Sequence, residues 1–478
     1  MKELRRTVLC VLAIFPACGG GDESSTEVTS SSGTQTETGT TAGPTDTEGG
    51  MLLCGNGEID GDEVCDDGNK SVLDGCTAAC LPTTAGLLGA GSNLTCALLD
   101  AGDVRCWGNN VVGGLGYGHL DNIGDDELPN TAGPVELGAA VHEIAVGYHV
   151  CALLIDGTVR CWGSSTFGKL GYGNDDFIGD DEVPTAVDPV ELSDAAIQID
   201  VGGTHSCAVL KGGKVTCWGD ASSGQLGYGN TERIGDNETP ASAGTIDLGG
   251  VATQVATGDS HTCALIDDGS VRCWGNGERG RLGHGSTGSI GDDEHPSSID
   301  PIDLGGTAVF LTAGDEHTCA LMATDTVRCW GRNADNELGY GHTDHIGDDE
   351  PPSAAGDVDV GGPVKAISAG PYNTCALLTS GQVRCWGAHD VGVPSAQMPL
   401  DVGPDLIAIS RGSSHTCTMS ASGDVYCWGQ GAFGELGYGN VGLAEDNCAA
   451  SPIYCDNGPN CCVGDMPGEL PPPPVPFK

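Results

Sequence analysis

Five short acidic segments of this chain have a composition that could hold a divalent cation. Each reads Ile-Gly-Asp-(Asp/Asn)-Glu, and each glycine lies nine residues after the leucine of a Leu-Gly-x-Gly motif. Neighbouring carboxylates repel, and calcium bound by their oxygens would relieve the repulsion. The candidate ligands are Asp125, Asp126, Glu127, Asp180, Asp181, Glu182, Asp236, Glu238, Asp292, Asp293, Glu294, Asp348, Asp349 and Glu350. A solvated turn, in which the aspartate accepts a backbone N–H, is the alternative that the sequence leaves open.

Histidine recurs two residues before a cysteine in five repeats. These residues are His149, His205, His261, His317 and His415, and Leu94 and Asn373 hold the same position in two more repeats. A cluster of histidines could bind a metal or transfer protons. The symmetry of the repeats would keep these five apart, so we predict a repeated structural hydrogen bond instead. We identify no catalytic residues, because no Ser/His/Asp set, phosphate-binding glycine loop or His-Glu-x-x-His motif stands out.

Fourteen cysteines form seven pairs with nine residues between the partners. The second cysteine of each pair precedes Trp-Gly, and successive pairs lie 55, 56, 56, 56, 56 and 42 residues apart. The pairs are Cys96 with Cys106, Cys151 with Cys161, Cys207 with Cys217, Cys263 with Cys273, Cys319 with Cys329, Cys375 with Cys385 and Cys417 with Cys427. A hairpin whose loop ends in a glycine, such as Gly269, places the two cysteines opposite each other. We predict seven disulfides, each within one hairpin; reduced buried thiols are the alternative.

The hairpins are one part of a longer repeat. Short apolar runs such as 301–304 and 309–312 follow each hairpin, which gives about four short strands per repeat. Seven units of about four strands predict an all-β fold, a seven-bladed β-propeller. The first repeat lacks a preceding strand, and the segment 473–477 is similar to 134–137. We therefore expect the C-terminal strand to complete the first blade and close the ring.

The repeat also resembles a known family. Its pattern G-x-x-H-T-C-A-L-x-x-x-G-x-V-x-C-W-G-x-N-x-x-G-x-L-G resembles the regulator of chromosome condensation repeat over nearly all of residues 86–439. This resemblance implies a seven-bladed propeller. The best-known member exchanges guanine nucleotide on a small nuclear GTPase, and a secreted bacterial member inhibits β-lactamases through its blade loops. The paired cysteines are not part of the family pattern and favour the secreted type.

Four segments are expected along the chain. Residues 1–18 read as an export signal that ends at a lipoprotein cysteine, Cys18, although a cleaved signal without lipid is the alternative. Residues 19–51 are rich in Ser, Thr and Gly and predict a disordered tether. Residues 52–83 form a cysteine-rich module that resembles a small repeat of bacterial surface proteins. Residues 84–478 form the propeller, with a cysteine-rich insertion at 440–463.

The remaining cysteines and the charge define the compartment and exclude some partners. Two even groups remain, and their pairing is open: Cys54, Cys65, Cys76, Cys80, and Cys448, Cys455, Cys461, Cys462. With an export signal, even groups favour disulfides over metal thiolates. The chain has 67 acidic and 19 basic residues, a formal net charge of -48. Phosphate backbones repel such a surface, so we expect no nucleic-acid partner, and membrane contact only through the lipid.

These observations predict a non-catalytic, extracytoplasmic binding protein. We expect a monomer on the outer membrane or cell surface, or else secreted, that engages a protein ligand through one loop face, as an inhibitor of an extracellular enzyme. It requires no cofactor, and calcium is the candidate ion. An extracellular lyase or glycosidase with a site in the central channel is one alternative. Nucleotide exchange is another, and the export signal, the cysteines and the charge disfavour it.

Overall fold

The computed structural model of the chain describes residues 87–99, 102–388, 400, 402–439, 462–463 and 474–476. The chain divides into two units, Met1–Met51 and Leu52–Lys478, and all described residues belong to the second unit. The predicted export signal with Cys18, the tether 19–51, the module 52–83 and most of the insertion 440–463 lie outside the described residues. None of the helices in the described ranges has the length and apolar character needed to cross a membrane.

The described residues form seven antiparallel sheets, and each sheet has an inner, a middle and an outer strand. The inner strands are β1 (Leu88–Ala90), β4 (Val141–Val146), β7 (Ala196–Val201), β10 (Ala252–Thr257), β13 (Ala308–Ala313), β16 (Val364–Gly370) and β19 (Leu406–Arg411). The middle strands are β2 (Leu94–Leu99), β5 (His149–Leu154), β8 (His205–Leu210), β11 (His261–Ile266), β14 (His317–Met322), β17 (Asn373–Leu378) and β20 (His415–Ser420). The outer strands are β3 (Asp103–Gly108), β6 (Val159–Gly163), β9 (Lys214–Gly219), β12 (Val271–Gly275), β15 (Val327–Gly331), β18 (Val383–Gly387) and β21 (Val425–Gln430). This is the predicted all-β propeller of seven blades, numbered here as sheets 1 to 7 in chain order.

The fourth strand predicted for each blade is mostly shorter than a strand. In sheets 3, 5 and 6 it is a single residue pair with the outer strand: Val215 with Ile246, Val327 with Val358, and Val383 with Leu400. In sheet 7 the Val475 amide donates to the Val425 carbonyl. A separate two-residue strand, β22 (Cys462–Val463), pairs with Gly429 and Gln430 of β21. Prolines limit the length of these segments, because proline donates no ladder hydrogen bond. They begin the short helices α1 (Pro240–Ala243) and α2 (Pro352–Ala355) and the 3-10 turns Pro129–Thr131, Pro184–Ala186 and Pro296–Ser298.

The hairpins between middle and outer strands have the predicted register. Cys263 pairs with Cys273 and Leu265 with Val271, while Gly269 has φ of 80° at the last loop position. Asp325 holds that position in sheet 5 with φ of 58°. Aspartate tolerates the left-handed region better than most residues, so the hairpin keeps its geometry without glycine.

All seven predicted cysteine pairs are joined by disulfides, so the predicted pairing is that of the structure. The Cα atoms of each pair lie 4.0 to 4.1 Å apart, and no cysteine of these pairs is more than 6% exposed. The bonds join Cys96 to Cys106, Cys151 to Cys161, Cys207 to Cys217, Cys263 to Cys273, Cys319 to Cys329, Cys375 to Cys385 and Cys417 to Cys427. Each disulfide therefore joins two adjacent strands inside the core of a single blade, and the alternative of reduced thiols does not describe this structure.

The ring closes differently from our prediction. The amide of Val475 donates to the carbonyl of Val425, so the C-terminal segment extends sheet 7, whereas Val135 donates to Val104 in sheet 1. The expectation that the C-terminal strand completes the first blade is wrong, because every sheet begins with its inner strand and takes its fourth segment from the chain that follows. Side chains join sheet 7 to sheet 1: the Ala90 amide donates to Ser410 Oγ at 2.8 Å.

Candidate functional site

Buried hydrogen bonds connect each sheet to the next, and this connection is called the seam. Between sheets 3 and 4, His205 Nε2 lies 2.7 Å from Thr262 Oγ. The Thr262 hydroxyl donates to the carbonyl of Gln225, and Trp274 Nε1 donates to the same carbonyl at 2.9 Å. One carbonyl thus receives two buried donors from the next sheet. Breaking such a bond and leaving a buried polar group unpaired costs about 1–3 kcal/mol.

The five repeated histidines all contribute to seams. The distances from Nε2 to the hydroxyl of the next sheet are 2.6 Å for His149 to Ser206, 2.8 Å for His261 to Thr318, 2.9 Å for His317 to Thr374 and 2.7 Å for His415 to Thr95. The last of these joins sheet 7 to sheet 1. The prediction of a repeated structural hydrogen bond is confirmed, and the five imidazoles lie at five different seams.

The seam also determines the protonation of the histidines. Where the threonine proton is donated to a carbonyl, the histidine Nε2 must carry a proton and donate it. The other ring nitrogen, Nδ1, is buried in all five histidines without a hydrogen-bond partner among the described residues. Burial lowers the pKa of His205 to about 4 and those of His317 and His415 to about 3. All five are therefore neutral at pH 7.

The two repeats without histidine use other contacts. Leu94 lies at this position in sheet 1, and Val150 holds the position of the threonine in sheet 2. In sheet 6, Asn373 Oδ1 accepts from Arg411 Nε at 2.7 Å, and Arg411 Nη1 donates to Thr416 Oγ1 at 3.2 Å. An apolar pair and an arginine bridge therefore replace the histidine bond at these seams.

The seven inner strands line a central channel of about 360 Å³. Polar side chains in the channel accept backbone N–H groups from the next inner strand. Gln198 accepts from Val255 at 2.8 Å and Gln254 accepts from Leu311 at 2.9 Å. Glu143 occupies the equivalent position in sheet 2 and accepts from Ile199 at 3.3 Å. These bonds satisfy backbone N–H groups at the free edge that the inner strands would otherwise expose.

Two carboxyl groups in the channel titrate abnormally. Burial, with the charge of Asp200 nearby, raises the pKa of Glu143 to about 8. Burial raises the pKa of Asp200 to about 6, although the Thr257 amide and hydroxyl both donate to its carboxylate. Glutamine at the positions equivalent to Glu143 makes the same bond, so a protonated Glu143 is a structural substitute for glutamine.

A ring of glycines, here called the collar, lines one end of the channel. Its members are Gly91, Gly147, Gly202, Gly258, Gly314, Gly370 and Gly412. At Gly202 and Gly314 an added Cβ would overlap the carbonyl oxygen of the next collar glycine. At Gly258 it would also overlap the ring of His261. The collar therefore requires the close approach that only glycine allows.

The end of the sheets that carries the collar is called the mouth face, and the opposite end, with the cysteine-pair loops, is the hairpin face. On the mouth face the collar borders a cavity of about 80 Å³. Tyr148 and Tyr372 follow the collar in sheets 2 and 6, and each remains 45% exposed. Asp259 and Asp315 follow the collar in sheets 4 and 5.

The carboxylates at the mouth lie in a crowded, negative environment. Burial and the charges of Asp259 and Glu316 raise the pKa of Asp315 to about 7. Burial and the charges of Asp315 and Asp259 raise the pKa of Tyr148 to about 12, which puts these side chains within electrostatic reach of one another. The carboxylates of Asp259 and Asp315 accept no hydrogen bond from the described residues.

Glu316, next to Asp315, has the opposite environment. Arg281 Nη2 lies 3.1 Å and Arg332 Nε 3.4 Å from its carboxylate, and Arg279 forms a third ion pair with it. The Arg332 guanidinium also lies 5.0 Å from the centre of the Tyr372 ring. These three arginines therefore pair with Glu316, and among the described residues none forms an ion pair with Asp315.

The five predicted acidic turns occupy equivalent places at the mouth end of their sheets. Each begins where its isoleucine pairs with the glycine of Trp-Gly: Gly108 with Ile123, Gly163 with Ile178, Gly219 with Ile234, Gly275 with Ile290 and Gly331 with Ile346. The turn glycine also contacts the preceding repeat, as Gly118 donates to the Gly179 carbonyl at 3.1 Å. The turns therefore lie beside the seams.

Four of these turns bring three carboxylates together. One oxygen from each residue lies within 4.8 Å of the others in the sets Asp125, Asp126 and Glu127; Asp180, Asp181 and Glu182; Asp292, Asp293 and Glu294; and Asp348, Asp349 and Glu350. Partial burial, a bond to Asp126 and the charges of Asp125 and Asp126 raise the pKa of Glu127 to about 7. The fifth turn, with Asp236 and Glu238, has Asn237 in place of the middle aspartate.

The comparisons with known proteins agree with this geometry. A family model described as Regulator of chromosome condensation (RCC1) repeat matches residues 88–113, 196–225, 252–281, 309–337, 364–392 and 407–435. A second model of the same repeat matches residues 156–209, 212–265 and 268–321. Together these segments cover more than half of the chain. The chain belongs to the RCC1 repeat family.

Relatives of this RCC1 propeller include much longer proteins. The E3 ubiquitin-protein ligase HERC2 of Homo sapiens is 29% identical over 66% of this chain but only 6% of its own length. The ultraviolet-B receptor UVR8 of Arabidopsis thaliana is 29% identical over 65% of this chain and 67% of its own. The chain thus spans a small part of the ligase.

Solved structures support the fold of the RCC1 propeller. Human WBSCR16 has a TM-score of 0.55 and 21% identity, over 70% of this chain and 89% of that chain. Yeast RCC1 (Prp20) in complex with Kap60 has a TM-score of 0.55 and 20% identity, over 74% of this chain and 82% of that chain. At this identity the likeness establishes the architecture alone.

Sequence reasoning found part of the site in this RCC1 propeller and missed the rest. It identified the positions of the acidic turns and the structural role of the histidines. It missed Tyr148, Tyr372, Asp259 and Asp315, which differ from repeat to repeat and so leave no periodic signal. The sequence did contain one usable signal, a glycine three residues before most of the repeated histidines. The residues that follow this glycine surround the channel mouth, so its position marks them.

Proposed function

We propose that this chain is an exported, lipid-anchored, monomeric protein whose propeller binds a protein ligand through the mouth face and catalyses no reaction. In its sharper form, the proposal is that the chain inhibits an extracellular enzyme. The exposed aromatic side chains of the mouth face carry the proposal: Tyr148, Tyr372 and Phe433 are 45%, 45% and 41% exposed. Aromatic residues on a rigid support are typical centres of protein interfaces.

Solved relatives favour binding over catalysis. One solved structure contains Kap60 bound to yeast RCC1, and a second concerns Prp20p from Saccharomyces cerevisiae and its binding properties to Gsp1p and histones. Both describe a propeller that binds other proteins. Seven disulfides suit an oxidising compartment, so a surface ligand is favoured over a nuclear one.

The alternative of an enzyme with a site in the channel has less support. Glu143 and Asp200 are the carboxyl groups of the described channel wall, and both accept backbone N–H groups of the next inner strand. A general acid or base needs a lone pair or proton that can reach a substrate. Here one oxygen of each carboxyl group, Glu143 Oε2 and Asp200 Oδ2, is committed to the ring of inner strands.

The proposal is tested by cross-linking the full chain to intact cells with substitutions on each face. We expect Ser92→Arg with Ser413→Arg, beside the collar, to abolish capture of a discrete partner, because the arginines would obstruct the mouth face. The matched control, Asp267→Arg with Ser380→Arg in the hairpin loops, should capture the same partner as the native chain. Equal loss by both variants, or by neither, would contradict binding through the mouth face.

The proposed export and anchor are tested at Cys18. We expect mass spectrometry of the mature protein to find Cys18 as a lipid-modified first residue. A Cys18→Ser variant should leave the membrane fraction, since the tether 19–51 offers no other apolar segment. A Cys18→Ser chain that remains on membranes would refute the lipid anchor and leave the binding proposal intact.

We also propose that calcium binds the acidic turns weakly. A hundredfold excess of calcium over its dissociation constant should stabilise the fold by about 2.7 kcal/mol per site. Melting in millimolar calcium and in EDTA at matched ionic strength measures this. Asp126→Asn, which copies the natural Asn237, should reduce the shift, whereas Asp267→Asn on the hairpin face should not. An equal shift with magnesium or monovalent salt would mean that the turns are solvated surface.

A further inference from the structure

The mouth of the channel combines an apolar surface, a small cavity and unpaired negative charge. Tyr148 and Tyr372 are exposed next to the collar. Tyr148 and Asp315 line the cavity of about 80 Å³, which has room for several water molecules and so admits the head group of a side chain but no folded segment. Asp259 and Asp315 lie on the adjacent loops of sheets 4 and 5, and the Asp259 amide donates to the Asp315 carbonyl at 3.1 Å.

The positive charges around the mouth are committed elsewhere. Lys169 Nζ donates to the Gly203 carbonyl at 3.2 Å. Arg411, which lines the cavity, donates to Asn373 and Thr416. Burial raises the pKa of Asp259 and the charges of Arg281 and Lys169 lower it in part, but no ion pair joins Lys169 to Asp259 among the described residues. Arg281 and Arg332 pair with Glu316. A carboxylate without a donor in a half-buried site is unfavourable, and a donor from outside the chain would relieve this.

We propose that the mouth binds the ammonium or guanidinium group of a lysine or arginine side chain inserted by a protein partner. The carboxylates of Asp259 and Asp315 accept its N–H groups, and the rings of Tyr148 and Tyr372 cover its methylene stem and charge. This inference rests on the proposed function and adds the chemistry of the partner.

The chemistry favours this ligand over related ones. A quaternary ammonium group has no N–H to donate, so it would leave the carboxylates unsatisfied. A bare divalent ion would gain nothing from the two tyrosine rings. Lysine and arginine have both the donors and the apolar stem, and aromatic rings attract their charge.

The test uses the full chain and a labelled peptide, acetyl-Gly-Gly-Lys-Gly-Gly-amide, with its arginine and acetyl-lysine counterparts. Fluorescence anisotropy should detect binding of the lysine and arginine peptides and at least about tenfold weaker binding of the acetyl-lysine peptide, because acetylation removes the charge. Equal binding of all three peptides would overturn the inference.

Substitutions assign the binding to the mouth. Asp259→Asn with Asp315→Asn should weaken binding of the lysine peptide about tenfold, and Tyr148→Ala with Tyr372→Ala about threefold. The control Glu136→Gln with Asp267→Asn removes the same charge from exposed positions away from the mouth and should change the affinity less than about twofold. Equal weakening by this control would mean general attraction to an acidic protein and would overturn the inference.

The melting temperature of each variant checks that the fold is intact. The Asp to Asn changes preserve shape, so a folded variant with unchanged peptide affinity would also overturn the inference. The cell-surface capture experiment uses Ser92 and Ser413 instead of these four residues. A partner captured through the mouth face together with a negative peptide result would therefore reject this inference alone and leave the proposed function standing.

Discussion

Reduction of the seven disulfides is expected to abolish the native melting transition of the propeller. Each disulfide closes a hairpin of ten-residue separation, which stabilises the fold by roughly 2–3 kcal/mol in the loop-entropy model. The pairs lie in different sheets, so their effects should add, to about 15–20 kcal/mol. This exceeds the stability of about 5–15 kcal/mol that is usual for a folded domain.

The experiment must allow the reductant to reach the sulfurs. The cysteines are buried, so reduction should be slow in native buffer and complete after brief denaturation. Melting after removal of the denaturant, with and without reductant, measures the effect. A variant with Ala at Cys54, Cys65, Cys76 and Cys80 should still lose its transition on reduction. A cooperative transition in the fully reduced chain would contradict the prediction.

A single pair should have a limited effect. Cys263→Ala with Cys273→Ala removes one disulfide from a central sheet and should cost about 2–3 kcal/mol without loss of the fold. Chemical denaturation under non-reducing conditions measures this difference. A loss as large as that from full reduction would mean that the sheets do not contribute independently.

The features that follow from local chemistry could be predicted from the sequence. The register of Cys263 with Cys273 depends on a three-residue loop that ends in Gly269. The loop and the two cysteines all lie within one segment of eleven residues. The same loop repeats seven times, so the fold class followed from the repeat. The structural role of the histidines followed from their equivalent positions.

The features that depend on contacts between distant residues could not be predicted. The Val475 amide bonds to sheet 7 because every sheet begins with its inner strand. The repeat alone does not specify which strand begins a sheet. The prediction that the C-terminal strand completes the first sheet failed for this reason. The mouth was missed because Tyr148 and Asp315 come close only after the ring has formed. Their proximity is a property of the closed ring and not of any repeat.

Acid is expected to unfold the propeller through its five buried histidines. Their folded pKa values are lowered by burial, to about 4 for His205, about 3 for His317 and His415, and well below the usual value for His149 and His261. The unfolded chain binds these protons near pH 6.5, so the contribution of the neutral histidines to stability is complete above pH 6.5 and is lost as the pH decreases. Each histidine should cost roughly 3 kcal/mol by pH 4.

Carboxyl groups with raised pKa values oppose this effect over a limited range. Burial raises the pKa values of Asp315 and Glu435 to about 7 and that of Glu143 to about 8. The folded chain therefore binds these protons first, and this contribution to stability grows as the pH falls from 8 to about 4.5. Below pH 4.5 both states hold these protons, so the loss from the histidines is no longer compensated.

Stability should therefore rise slightly from pH 8 to 6.5, fall less between pH 6.5 and 4.5 than the histidines alone would cause, and then fall steeply. The slope just below pH 4.5 should correspond to at least the five protons of the seam histidines, and His142, whose pKa burial lowers to about 4, adds to it. Replacing His261 with Leu and Thr318 with Val copies the natural pair Leu94 and Val150 and should reduce that slope by about one proton. Denaturant unfolding at several pH values measures the slope, and His342→Gln, at a half-exposed surface position, serves as the control. If the double variant keeps the native slope while remaining folded, the seam histidines are not the groups that titrate, because removing one neutral buried imidazole must remove one proton from the difference between the two states.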